Sequence, residues 1–534
     1  MEYTTRGVCG QEGCRERRYY LENGLWFCRR GHQQEGRQVE EDPEDFGTQG
    51  RTSRVKKAAA EKATKTFRGR QAYRLFLHVY QLILWKQCYA LVNTRGFPDQ
   101  FEHVVRDLWG LWLGTFEDQI KEQDEPDEQP ELFSSQPTQV DGPADAKPRI
   151  RKAKWPRMID SISLCYLGAF LMRLPVSVGD FHLMVMRGDV PYLRVVRDIP
   201  RDMRDNLPPE FISILEPRRL LQAEELHTAV GDLVLLYHSK FSMKFPSVNW
   251  PILLYRYIKR LAIPIDVYPT VKKLQELLGL VFEYPGTIIG RRKPLELPEL
   301  QLMSLIVVAT KLLFPFDRKK RYPSTTKEPA VQVMDWNHWA EIQGRFDNRE
   351  TSRGKIGKGN EVNVTEKDVF EMTPAQLDEY MDWYESSWLD ASKPPSRLAN
   401  LFPLGPSARS RPGTPSVEIN EGEALDAMVQ ISTGQLKSKK VIPSKGSESE
   451  SDTPRPGSSY ARFRTESDLL DEARPFYETA AKVVGVSLST LVRGVLQAEN
   501  KITRWLAEQR KAEFLGESLG MGRARDSGDE MDVD

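Results

Sequence analysis

The chain has 534 residues, too many for a single hydrophobic core, and we expect two or three folded units joined by linkers. Its 76 Lys and Arg residues balance its 76 Asp and Glu residues, so electrostatic binding must come from local clusters of charge. Five cysteines are too few for a disulfide scaffold, and no apolar run approaches the ~20 residues that cross a bilayer. These features favour a protein of the cytosol or nucleus without a membrane partner.

The first 35 residues carry a metal-ligand pattern with the spacing C-x4-C-x13-C-x3-H. Its members are Cys9, Cys14, Cys28 and His32. Between the two pairs, aromatic runs flank an Asn-Gly dipeptide, which is a strong signal for a β-hairpin. Four N and S ligands close a tetrahedron, so we predict a zinc ribbon over residues 1–35 with one structural Zn2+ rather than a catalytic ion. The alternative is that the cysteines are incidental.

Residues 36–69 form a polybasic linker. Nine basic side chains lie between residues 46 and 74, against Glu61 as the single acid. Such a run suits a phosphate backbone, although a solvated tether or a nuclear-import signal has the same composition. The candidate DNA-binding residues are Arg51, Arg54, Lys56, Lys57, Lys62, Lys65, Arg68 and Arg70.

Residues 70–245 show helical periodicity. Apolar residues from Tyr73 to Cys88 recur at steps of three and four, and the pattern continues to Phe241 with Pro-rich connections. An acidic insertion at 117–147 interrupts these helices. We interpret Cys88 and Cys165 as small buried hydrophobic residues, because no ligand cluster accompanies them.

A second helical set occupies residues 246–390. Its segment from Gln301 to Phe314 is apolar on all sides, as expected for the central helix of a bundle. The chain is therefore predicted to be mainly α, with two successive helical bundles.

The remaining chain has three parts. Residues 391–465 are rich in Pro, Ser, Gly and charge, and we predict that they are disordered. Thr414 and Thr453 precede prolines there and are candidate phosphorylation sites. A C-terminal helical segment at 466–520 has one apolar stripe that packs on a partner or on the body, and 521–534 is an acidic tail.

The order of the parts resembles the TFIIB-type transcription initiation factors. The Cys28-to-His32 knuckle, the acidic insertion and the runs Leu174–Asp180 and Gly188–Tyr192 resemble more narrowly the RNA polymerase I branch, the zinc-ribbon subunit of core factor or selectivity factor in its fungal form. We found no sequence motif of a nucleotide-binding or hydrolytic site, so an enzyme is not expected.

The resemblance implies a ribbon, a reader and linker, and two cyclin-like repeats at 70–245 and 246–390. It implies binding of promoter double-stranded DNA and recruitment of RNA polymerase I, with the other core factor subunits and the TATA-binding protein as partners, in the nucleus and nucleolus. Two further basic borders, Arg149–Arg157 and Arg318–Arg321, are possible phosphate contacts. A TFIIB-like factor of another polymerase and a zinc-ribbon adaptor that does not bind DNA remain open.

Overall fold

A computed structural model divides the chain into two compact units, Met1–Lys65 and Thr66–Asp534. It describes residues 4–5, 9, 14–22, 25–38, 66–122, 155–217, 219–287, 293–317, 319–349, 354–388, 421–443 and 454–525. Much of the polybasic linker and most of the acidic insertion therefore lie outside the described residues.

The first unit contains an antiparallel sheet of four strands in the order β1-β2-β3-β4. The strands are β1 Thr4–Thr5, β2 Arg18–Glu22, β3 Leu25–Cys28 and β4 Gln33–Gln38. Tyr19 pairs with Cys28 and Glu22 pairs with Leu25, which confirms the predicted hairpin. Because β4 ends at Gln38, the sheet extends beyond the boundary predicted at residue 35.

In its described residues, the second unit is helical apart from a short antiparallel pair, β5 Gln332–Val333 with β6 Lys437–Ser438. Its N-terminal helices are α1 Gly69–Arg95, α2 Gln100–Glu122, α3 Met158–Leu171, α4 Val178–Met186, α5 Arg201–Asn206, α6 Pro209–Leu215 and α7 Ala223–Phe241. The later helices are α8 Trp250–Arg260, α9 Val267–Leu278, α10 Pro298–Leu313, α11 Trp336–Asp347, α12 Glu366–Glu371, α13 Pro374–Trp388, α14 Glu421–Gly434, α15 Arg474–Val484 and α16 Leu488–Arg525.

Helix α3 forms the centre of the first repeat. Nearly every side chain along it is buried, and α1, α2, α4 and α7 pack around it. Gly168 allows the close approach of α2, because an added Cβ would lie 2.5 Å from Cγ2 of Val105. Helix α2 continues to Glu122, past the start predicted for the acidic insertion at residue 117.

Helix α10 has the same position in the second repeat. It is buried on all sides, as its sequence predicted, and α8, α9, α15 and α16 pack around it. The C-terminal helices thus pack on the second repeat, which is one of the two alternatives, a partner or the body, that the sequence left open. Within the described residues no single helix is long and apolar enough to cross a membrane; α15 and α16 reach that length and apolarity only as a pair bent by 100°.

Part of the segment predicted to be disordered is folded. Helix α14 lies inside it, where Met428 packs against Ile342 and Phe346 of α11. The prediction of disorder is therefore wrong for these described parts: 421–443 and 454–465. The prediction of disorder rested on the average composition of the segment. Helix α14 has only a few apolar residues at helical spacing, and they change that average little.

The first turn of α10 buries a carboxyl group where the two repeats meet. Glu299 is 1% exposed and accepts hydrogen bonds from the Tyr166 hydroxyl of α3 at 2.7 Å and from the Val178 backbone N–H of α4 at 3.0 Å. Burial raises the pKa of Glu299 to about 8, and the two hydrogen bonds offset that rise only in part. Glu299 thus ties the second repeat to two helices of the first.

Helix α15 makes another contact with the first repeat. An added Cβ on Gly179 of α4 would lie 2.4 Å from the carbonyl oxygen of Val483, so the two backbones touch there. Nε2 of the buried His227 in α7 lies 2.9 Å from the carbonyl oxygen of Val484. Burial lowers the pKa of His227 to about 4, so the ring is neutral at pH 7 and donates its N–H from Nε2.

A buried ion pair joins α16 to α10. Nζ of Lys311 lies 2.6 Å from Oε1 of Glu499, and the two side chains are 5% and 2% exposed. The Tyr460 hydroxyl donates to the same oxygen at 2.7 Å, and Lys311 Nζ lies 4.5 Å from the ring centres of Tyr460 and Phe463. Burial lowers the pKa of Lys311, and the charge of Glu499 opposes that shift. The segment before α15 is thereby fixed to the second repeat.

Candidate metal centre and nucleic-acid interface

The predicted metal ligands meet at one end of the β2–β3 hairpin. Cys28 is the last residue of β3, and its N–H donates to the carbonyl oxygen of His32 at 3.1 Å. The Gly31 N–H donates to the carbonyl oxygen of Cys28 at 2.7 Å, with a φ of 82° at Gly31 in the left-handed region that favours glycine. On the other side, the Cys9 N–H donates to the carbonyl oxygen of Glu16 at 3.1 Å. These bonds close the turns that carry the ligands.

The ligand atoms lie at distances that suit zinc. One atom from each of Cys9, Cys14, Cys28 and His32 lies within 4.8 Å of the other three. Nδ1 of His32 is 3.5 Å from Sγ of Cys28 and 4.0 Å from Sγ of Cys9. Zn–S and Zn–N bonds of about 2.3 and 2.0 Å in a tetrahedron separate the ligand atoms by about 3.5–3.8 Å. The four side chains therefore fit a zinc ion, which His32 would bind through Nδ1.

The interior of the described ribbon consists of three cysteines and one aromatic ring. Cys9, Cys14 and Cys28 are buried together with Tyr19. Burial raises the pKa of the Cys28 thiol, but hydrogen bonds from the backbone, led by that of His32, outweigh burial and leave this pKa below its ordinary value. So small an apolar cluster gives little stability, and a bound metal would supply the rest.

The other two cysteines belong to the core of the helical body. Cys88 of α1 is 2% exposed and Cys165 of α3 is fully buried. A hydrogen bond with Cys88, together with burial, raises the pKa of Cys165 well above its ordinary value, so it remains a thiol. Within the part of the chain that the structure describes, the ribbon holds the single cluster of potential metal ligands. The prediction that Cys88 and Cys165 are buried hydrophobic residues is confirmed.

Two of the eight candidate DNA-binding residues lie in the described part of the chain. Arg68 is the N-cap residue of α1, Arg70 lies in its first turn, and both are exposed. The others lie outside the described residues: Arg51, Arg54, Lys56, Lys57, Lys62 and Lys65. The end of the basic run thus leads directly into a helix.

Two basic residues that we predicted as phosphate contacts have acidic partners within the fold. Arg321 is buried, and its guanidinium pairs with Asp317 at 2.6 Å. Arg157 caps α3 and pairs with Asp160 at 3.0 Å. The prediction is therefore wrong for Arg321, since a run of positive charge in the sequence does not reveal which cations are buried with acidic partners. For Arg157, whose side chain is 42% exposed, it stays a prediction.

The sequence interpretation found the buried face of α1 but missed its exposed face. Exposed residues recur along α1 at steps of three and four, and they include basic and aromatic side chains. They are Arg70, Arg74, His78, Gln81, Trp85 and Tyr89, which we call the α1 stripe. The signal that could have revealed the stripe is the absence of any Asp or Glu from the 27 residues of the helix.

Three family models match the chain in the order of its folded parts. The zinc finger of RNA polymerase I-specific TFIIB, Rrn7, matches residues 3–36. The N-terminal cyclin domain of Rrn7/TAF1B matches residues 80–201, and the C-terminal cyclin domain matches residues 219–388. The chain belongs to the Rrn7/TAF1B family.

Relatives in the Rrn7/TAF1B family carry concordant names. The RNA polymerase I-specific transcription initiation factor rrn7 of Schizosaccharomyces pombe is 25% identical over 431 residues, which are 74% of this chain and 79% of that protein. The factor of the same name from Saccharomyces cerevisiae is 22% identical over 422 residues, 72% of this chain and 74% of that protein. A TATA box-binding protein-associated factor of RNA polymerase I from Oryza sativa is 22% identical over 159 residues, 29% of this chain and 24% of that protein. All three names specify RNA polymerase I, and none describes an enzyme.

A solved structure shares the fold of this Rrn7/TAF1B chain. The crystal structure of Saccharomyces cerevisiae core factor matches with a TM-score of 0.52 and 17% identity, over 83% of this chain and 100% of the matched chain. With the family matches, this confirms a mainly α chain with an N-terminal zinc ribbon and two cyclin-like repeats. The two cyclin models are separated between residues 201 and 219, so α7 falls in the C-terminal model. In the structure, however, α7 packs on α3, the central helix of the first repeat. The predicted repeat boundary at 245/246 stays a prediction.

Proposed function

We propose that this chain is an RNA polymerase I transcription initiation factor that binds the ribosomal DNA promoter and recruits the polymerase into the preinitiation complex. The support is the order of the three family matches, a ribbon followed by two cyclin-like domains, in a chain whose relatives are named as such factors. The proposed location is the nucleus, and within it the nucleolus.

The ribbon is proposed to hold one structural Zn2+ through Cys9, Cys14, Cys28 and His32. Four protein ligands leave no position for a substrate, so the metal acts by making the ribbon rigid. A rigid ribbon is a suitable docking module for the polymerase, because little conformational freedom is lost on binding.

The polybasic linker is proposed to contact the DNA backbone. Its candidate residues run from Arg51 to Arg70, with Glu61 as the single acid among them. Each Lys or Arg that neutralises a phosphate of duplex DNA releases counterions and increases the salt dependence of binding. Such contacts hold the protein on DNA without reading the bases.

The proposed partners are RNA polymerase I, the other core factor subunits, the TATA-binding protein and promoter double-stranded DNA. Support for the core factor subunits comes from the structural match, since the matched chain was solved as core factor.

The ribbon and the linker can be tested separately with the full-length chain. We expect Cys9→Ser with Cys14→Ser to abolish binding to purified RNA polymerase I and to leave duplex binding intact. We expect Lys56→Glu with Lys57→Glu to weaken duplex binding and flatten its salt dependence. The matched control is Lys272→Glu with Lys273→Glu, a second pair of adjacent lysines, which is exposed on α9.

Two results would contradict the proposal. Polymerase binding that survives loss of the cysteines would separate the ribbon from docking. Promoter-dependent transcription that is unchanged by reversal of the linker lysines would favour an adaptor that does not bind DNA.

A further inference from the structure

The α1 stripe runs along one side of a long, basic helix. Arg70, at one end of the stripe, and Tyr89, at the other, lie about 28 Å apart along the helix axis at 1.5 Å per residue. Helix α1 carries Arg70, Arg74, Lys86 and Arg95 and no acidic residue. Among the residues that the structure describes, Arg74 has no carboxylate partner within ion-pair distance. Its positive charge is therefore available to an anion.

The C-terminal half of the stripe presents aromatic rings. Trp85 is 47% exposed and Tyr89 is 56% exposed, although large aromatic side chains are usually buried. Their ring centres lie 5.7 Å apart at an interplanar angle of 33°. Because about half of each side chain is open to solvent, a flat ligand has ring surface on which to stack.

The charge around these rings selects the kind of ligand. Phe370 of α12 is even more exposed, at 85%, but it lies among Glu366, Asp368 and Glu371. The rings of the α1 stripe instead follow Arg70, Arg74 and the polybasic linker in the sequence. Exposed rings on the same face as Arg74, about 16 Å from it along a helix without acids, suit a polyanion that carries flat, apolar groups, which is the chemistry of a nucleic acid with unpaired bases.

We propose that the α1 stripe binds single-stranded DNA, with Arg74 on a phosphate and bases stacked on both Trp85 and Tyr89. Duplex DNA is a poorer fit, because its base faces are covered by neighbouring base pairs and its grooves expose base edges to polar side chains. This proposal rests on the proposed promoter function, which brings the chain to DNA that is opened for transcription.

The test measures binding of the full-length chain to three fluorescent probes by anisotropy. The probes are an oligothymidine of about 12 nucleotides, an abasic strand of the same length, and a duplex. We expect Trp85→Ala to weaken oligothymidine binding at least about fivefold, since stacking on a base is lost, and to leave the abasic and duplex affinities within about twofold. Trp85→Phe should keep most of the affinity. Arg74→Gln should lower the slope of log affinity against log salt by about 0.7.

Phe370→Ala is the matched control, and it should bind all three probes as the wild type does. Equal oligothymidine affinity in Trp85→Ala and wild type would overturn the proposal, as would an equal loss on all three probes. Loss of polymerase or core factor binding with unchanged DNA affinities would also overturn it and assign the stripe to a protein partner. Duplex binding by the wild type separates the two proposals. If the wild type binds the duplex, each of these results contradicts the stripe proposal alone. If it binds none of the probes, the proposed promoter function is contradicted as well.

Discussion

The ribbon and the second cyclin-like repeat gain their order from different sources. The described interior of the ribbon is Tyr19 with three cysteines, whereas α10 is buried on all sides by apolar helices. The ribbon ligands lie within 24 residues of the sequence, but α15 begins more than 150 residues after the end of α10. The ribbon is local in sequence and its small interior is made mostly of potential metal ligands, while the repeat is apolar and depends on a distant segment.

This contrast predicts separate failures. Loss of the metal should unfold the ribbon and spare the helical body, because the two are distinct compact units. Substitutions at the contact between α10 and α16 should lower the free energy of unfolding of the helical body and leave the ribbon folded. Three changes test this separation, in order of decreasing effect.

The largest effect is expected from Cys28→Ser. Structural zinc in small domains contributes roughly 10–16 kcal/mol of apparent binding free energy, far more than the ribbon core can replace. We expect loss of bound zinc and of hydrogen-exchange protection in β2 and β3, with the unfolding of the helical body unchanged. Cys165→Ala is the control, since it removes a buried cysteine that is not a ligand. Zinc retained by Cys28→Ser at one ion per chain would contradict the ligand assignment.

A smaller effect is expected from Glu499→Ala. It leaves Lys311 buried without a charge partner, which lowers the free energy of unfolding by about 3–5 kcal/mol, measured in urea by tryptophan fluorescence. Glu508→Ala, an exposed acid on the same helix, should have little effect. Replacing both partners, as Lys311→Met with Glu499→Leu, should recover much of the loss. Zinc content should not change in any of these variants, and a variant that lost zinc would break the comparison.

The effect expected from Glu299→Gln depends on pH and is the smallest of the three per pH unit. The folded pKa of about 8 lies above the unfolded value, so between about pH 4.5 and 8 the folded state retains a proton that the unfolded state has lost. Wild-type stability should therefore fall as pH rises through that range, by at most about 1.4 kcal/mol per pH unit from this group. Glu299→Gln should lack this part of the slope, as measured by urea unfolding at several pH values. Glu276→Gln, on the exposed face of α9, should keep it.

The parts that could be predicted from the sequence are those fixed by neighbours in the chain. The Cys28-to-His32 spacing predicts a metal knuckle because both residues belong to one turn, and the apolar run of α10 predicts a central helix by itself. The hairpin followed from its Asn-Gly signal for the same reason.

Long-range pairing had no such signal. The apolar stripe of α16 indicated that it packs against something, but not that its partner is α10. Glu299 looked like an ordinary acid near the start of a helix, because only the fold brings Tyr166 and Val178 to it. The exposed face of α1 was missed because periodicity arguments look for what is buried.

The position of α15 and α16 in the chain has a consequence during synthesis. At about 5–20 residues per second, a ribosome makes α15 on the order of ten seconds after α10 is complete. During that interval the central helix of the second repeat lacks two of the helices that cover it and exposes apolar surface to the cell. The nascent chain is therefore expected to bind chaperones at α10. A chain that ends before residue 474 lacks both covering helices and is expected to remain bound to chaperones.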